Sequence, residues 1–177
     1  MRKGRIRIFS FILGMCFFMV CCATNKSAFD LVDYINQGIL MIAEPEMKSL
    51  ERYGSVTGKN YTTDQKLSEA LNNYIIPNYK RFLDLLRTIN PQTEEIKRVH
   101  VIYVRGAELL YRGFQILLIG VDKNDTDIVM LANEKIIKGR LEIEKWKKEI
   151  IVLHKKYGII VKSSENLKKQ SSLNRKA

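Results

Sequence analysis

Residues that staple or interrupt a chain are scarce in this sequence. Three of its 177 residues are cysteine, at 16, 21 and 22. None follows Cys22, so everything downstream is without a disulfide framework or a cysteine-held zinc. The two histidines, His100 and His154, have Lys97 and Ile151 three residues before them. That spacing excludes the Glu-x-x-His pattern by which helical bundles hold paired iron, so no metal and no cofactor is expected. Strand-like runs are almost missing: "GIIV", Gly158 to Val161, stands alone, which argues against a sheet. The longest apolar run, Ile8 to Ala23, has sixteen residues broken by Ser10 and Gly14, short of the roughly 20 a helix needs to cross a bilayer. Nucleophile elbows, zinc signatures and paired-carboxylate spacings do not occur, so catalysis is not expected.

Before the apolar run stands "MRKGRIR", with four basic residues and no acid. A basic head, a short apolar middle and small polar residues after it make a secretory signal. The basic head stays in the cytoplasm and the rest is translocated. Near the end of the run stands "MVCC", Met19 to Cys22, which resembles the lipobox of bacterial lipoproteins. The resemblance implies a signal peptide over 1–21 and Cys22 as the acylated first residue of the mature chain. It also implies the membrane as a partner, through that lipid anchor. Ala23, where retained inner-membrane lipoproteins carry Asp, implies sorting to the outer membrane or cell surface in a two-membrane source. The residues themselves also suit an uncleaved anchor or an ordinary cleaved leader. All three readings put the body outside the cytoplasm. Two acyl chains anchor stably where one is marginal, so the anchor would need no second membrane segment.

The net charge is +11, but the ends supply most of it. The head holds four of these charges, and the tail from Lys162 holds five basic residues against Glu165. The remaining body is only about +3, with both signs interspersed. Nucleic acid is therefore a poor partner.

The body carries helical periodicity in four blocks. Phe29, Val32, Ile35, Ile39 and Ile42 open a stripe that predicts a helix over 27–53, with a kink at Pro45. A second stripe predicts 62–89, with Thr62 and Gln65 as a capping box and a kink at Pro77. Ile96, Tyr103, Leu110 and Leu117, seven apart, predict a third helix over 91–121, capped by Asn90 with Pro91 at its first position. Val129 to Tyr157 alternates steps of three and four and predicts 126–157, closed by Gly158. The links between blocks are short, which favours antiparallel neighbours. The expectation is an all-α fold: an antiparallel up-down-up-down four-helix bundle over 22–161, its first two helices kinked. A basic tail over 162–177 has no core pattern and is expected to be disordered.

Two loops resemble ligand sites without matching them. "GSVTGKN" has three residues between its glycines and Asn60 after Lys59, where a phosphate loop needs four and Ser or Thr. "DKNDTD" puts Asp127 and Asn133 where a calcium loop wants Gly and Glu; capping of the fourth helix by Asp125 or Thr126 accounts for the same residues. The candidate site residues are Cys22 for lipidation and a line of small residues. Gly106, Gly113 and Gly120 fall seven apart on one face of the third helix, at about 1 kcal/mol each against alanine. With Ala132 and Gly139 of the fourth helix they mark close helix packing or a groove. The expected function is a lipid-anchored, extracytoplasmic binding or scaffolding module with an envelope protein as partner. The alternatives are a bundle that binds or senses a small apolar molecule between kinked helices and, further off, an enzyme with its site between helices.

Overall fold

Apolar steps of three and four residues give each helix one stripe to bury, and the stripes meet in one core. The computed structural model describes residues 26–159. They form four helices, with no strand among the described residues. Helix α1, over 26–56, has α-helical turns at 26–33, a π-helical segment Tyr34–Ile39 and an α-helical segment Leu40–Val56. A 3-10 turn, Gly58–Asn60, follows. Helix α2 joins Asp64–Ala70, the π-helical Leu71–Ile75 and Ile76–Thr88. Helices α3, Glu94–Asp122, and α4, Thr126–Lys156, are unbroken.

Ring contacts show α3 touching all three other helices. Phe114 of α3 lies 5.0 Å from the Tyr53 ring of α1 and 5.3 Å from the Tyr79 ring of α2. Tyr103, also of α3, stacks on Trp146 of α4 at 4.1 Å. Phe114 and Phe82 are fully buried, and a core phenylalanine is worth about 3–5 kcal/mol against alanine.

Helix ends differ from the sequence expectation where a side chain from elsewhere intervenes. Helix α2 begins at Asp64, not 62: Thr63 is the cap, its Oγ1 accepting from the Lys66 N–H at 3.3 Å. Gln65 turns outward to donate to Glu69, so the Thr62–Gln65 box does not form. Helix α3 begins at Glu94, not 91, and Asn90 is not its cap. Asp30 of α1 holds that entry instead. Its carboxylate accepts from the Gln92 N–H at 2.9 Å, the Thr93 N–H at 2.7 Å and the Thr93 hydroxyl at 2.6 Å. The carboxylate brought across the bundle thus fixes the two residues that lead into α3.

Asn124, at φ 52°, ends α3 with its N–H on Val121 O and the Asp125 N–H on Gly120 O, and Asp125 then caps α4 through Asp127 and Ile128. Gly158, at φ 64°, closes α4 in the same way, with the Ile159 N–H on His154 O. The helical conformation continues through both prolines, each of which leaves out one ladder bond. Pro45 lies inside Leu40–Val56, where Ser49 Oγ donates to its carbonyl at 2.7 Å. Ile76 separates Pro77 from the π-helical Leu71–Ile75, whose last bond runs from the Ile76 N–H to Leu71 O. A wider turn ahead of the ring relieves the crowding that proline imposes one turn back.

Candidate functional site

The line of small residues lies where α3 meets α4. A Cβ on Gly113 would stand 2.6 Å from Ile136 Cγ1 and 3.3 Å from Ala132 O. On Gly106 it would stand 2.8 Å from Ile143 Cγ1, on Gly120 2.9 Å from Val129, and on Gly139 2.8 Å from Gly106 O. Ala132 is fully buried beside them. Bare backbone on both helices thus lets α4 lie directly on α3. Cys22 lies outside the described residues, as do the leader over 1–21 and the tail over 162–177.

With α4 drawn onto α3, and α1 packed against α2, a groove of about 510 Å³ opens between α1 and α4. Ile39, Ala43, Glu46 and Leu50 form one wall; Arg140, Ile143, Glu144, Trp146 and Lys147 form the other. Tyr103 and Leu110 of α3 make the floor. Most of this lining is apolar or aromatic, and the volume lies within the range of small-molecule sites.

Two acids, Glu46 and Glu144, line these walls, and Glu46 is the one bonded to the floor. Glu46 Oε2 accepts from Tyr103 Oη at 2.7 Å. Burial pushes the Glu46 carboxyl above its usual range, against the opposing pulls of the Tyr103 bond and of Lys147. Burial, and then the carboxylate itself, raises Tyr103 in turn. At the deeper end Trp146 Nε1 donates to Tyr34 Oη at 3.2 Å, and Tyr34 Oη lies 3.3 Å from His100 Nδ1. The Tyr34 hydroxyl accepts from Trp146, and its contact with His100 Nδ1 completes a chain of three side chains. Burial lowers the His100 pKa and so favours the neutral ring. The relay ties α4 to α1 and α1 to α3. Chemically it can orient a ligand or stiffen the wall; nothing in it activates a nucleophile.

The remaining sequence candidates have structural partners. Asp122 accepts from Ser68 Oγ at 2.6 Å, Asn124 supplies the left-handed residue and Asp125 the cap, so "DKNDTD" is fully used as a helix link. Gly58 opens the 3-10 turn with φ 59°. His100 is engaged with Tyr34, and among the described residues no group of three His, Cys, Asp or Glu side chains could hold a metal. No described helix is long and apolar enough to cross a membrane.

The sequence allowed for an apolar site between helices, but not its place between α1 and α4 or the part of Glu46 in it. Its signal was present: Glu46 falls on the same face as Ile39, Ala43 and Leu50, at steps of four and three. An acid on an inward stripe marks either a buried pair or a ligand position. Comparison of the chain with protein-family models, with curated proteins and with solved structures finds no match.

Proposed function

We propose that this chain is a membrane-tethered, extracytoplasmic binding protein without catalysis, and that a small apolar molecule occupies the groove between α1 and α4. The body is read as an antiparallel up-down-up-down bundle, with α1 and α2 bending at their π-helical segments and prolines. Acylated Cys22 is its tether. The observation that carries the reading is the groove itself: apolar walls from two helices, a floor from a third, and one carboxylate already held in place by Tyr103. Pre-formed walls reduce the ordering cost of binding.

Trp146, the only tryptophan of the chain, lines the groove and reports on it. Native mass spectrometry of the purified chain should show a bound small molecule. Ala43→Phe, which fills the groove from one wall, should lose it and shift the Trp146 emission while keeping the helical circular dichroism. A chain that carries no such molecule and binds no apolar probe near Trp146 would return the reading to a protein scaffold. The tether is tested separately, by metabolic labelling with a fatty-acid analogue. Wild type should take up label and Cys22→Ser should not; equal uptake would favour an uncleaved anchor.

A further inference from the structure

The outer face of α4, away from α3, carries a pattern that neither the core nor the groove uses. Asp127, Glu134, Leu141, Lys148 and Lys155 recur at seven-residue spacing, all exposed. Read along the helix they are two acids, a leucine and two lysines. Beside them Met130 and Val152, each eleven residues from Leu141, are 55% and 57% exposed, and Leu141 itself is 64% exposed. Large apolar side chains aligned on one face of a long helix mark an interaction surface.

Preference for acids near a helix start and bases near its end accounts for Asp127 and Lys155, but that field fades within a turn. Glu134 and Lys148 lie further in. Their placement is mirror-symmetric about Leu141, and this symmetry identifies the occupant. We infer that the outer face of α4 pairs with the same face of a second copy of this chain, antiparallel, about a two-fold axis at Leu141. In that arrangement Leu141 meets Leu141 of the second copy and Met130 meets its Val152. Glu134 faces its Lys148, and Asp127 faces its Lys155. Each of these contacts except the central one occurs twice. A parallel pairing in register would set Glu134 against Glu134 and Lys148 against Lys148, and like charges exclude it. A face that pairs with itself through an isologous contact closes at a dimer. This inference is independent of the groove.

Sedimentation velocity of the full-length chain in detergent, over a concentration series, should show a monomer–dimer equilibrium. Glu134→Lys and Lys148→Glu should each weaken the dimer about tenfold, because two attractive pairs become repulsive. The double variant Glu134→Lys/Lys148→Glu should return to within about threefold of wild type, since the pairs are restored with signs exchanged. All these positions are exposed, so the fold is not at risk. Mild oxidation should link Leu141→Cys to its own copy above the background of the native cysteines, and should not link Glu134→Cys. A chain monomeric at every concentration would overturn the inference. So would a double variant no better than the singles, or self-linking of Glu134→Cys as strong as that of Leu141→Cys.

Discussion

At the residue scale, Glu46 and the glycines carry the sharpest consequences. The Glu46 carboxyl titrates above its unfolded value because burial disfavours its charge. The folded chain therefore binds more protons than the unfolded chain between the two pKa values, and stability is lost as pH rises through that window. Glu46→Gln keeps an acceptor for Tyr103 and removes the charge. Its melting temperature should exceed wild type at pH 7.5, with the gap shrinking as pH falls toward 4. A constant gap, measured by circular dichroism across that range, would mean the carboxylate is not destabilised by its surroundings. His100, lowered by burial, works in the opposite sense, losing stability as pH falls below about 6.5; the difference between wild type and variant cancels it.

Glycine replacement separates packing from propensity. Gly113→Ala gains helix propensity of about 1 kcal/mol but drives a Cβ to 2.6 Å from Ile136 Cγ1 and 3.1 Å from its backbone N. The expected result is a net loss of about 1–2 kcal/mol in urea unfolding. Gly54→Ala, with nothing within 4 Å, should instead gain about 0.5 kcal/mol. Equal signs for the two would contradict the close α3–α4 contact.

At the scale of elements, the helix ends show what local sequence conveys. Thr126 to Lys156 was legible almost to the residue. Its stripe is regular, Asp125 is a strong cap, and Gly158 is the one residue type that enters the left-handed turn freely. The start of α3 was not legible, because the residues leading into it are held by Asp30, more than sixty positions earlier in the chain. Asp30→Ala should cost about 2–3 kcal/mol, since it leaves two backbone N–H groups and a hydroxyl without their acceptor. Hydrogen exchange at Gln92 and Thr93 should quicken while the middle of α3 stays protected. Unchanged exchange at those two amides would show that Asp30 does not hold them. The π-helical segments were likewise hidden. A one-residue widening shifts the buried stripe by a residue, so that Tyr34 and Ile39, five apart, are both buried while Phe29 faces solvent, and a steady helical period does not anticipate it.

At the scale of the whole molecule, one cluster of buried side chains draws on all four helices, and the Trp146–Tyr34–His100 relay links three of them. Unfolding should therefore be a single transition, with Trp146 fluorescence and far-ultraviolet circular dichroism tracing the same urea midpoint. An earlier fluorescence midpoint would show α4 leaving first, against the contact its glycines make with α3.

The sequence by itself determined the all-α class, the approximate length of each helix and the inward stripes of α3 and α4, because these follow from periodicity and capping within one segment. The stripe expected to open α1 on Phe29 was wrong, since Phe29 is 72% exposed and Leu31 and Tyr34 are buried instead. The sequence also supplied the export and anchoring expectations at the N-terminus, which rest on residues outside the described region. Only the tertiary structure decided that α4 lies on the backbone of α3 and that α1 stands off from α4 across a groove. It alone joined Glu46 to Tyr103 and Asp30 to Thr93. Those pairings depend on which stripe faces which neighbour and at what depth. That is a property of several helices packed together, and no single stretch of chain encodes it.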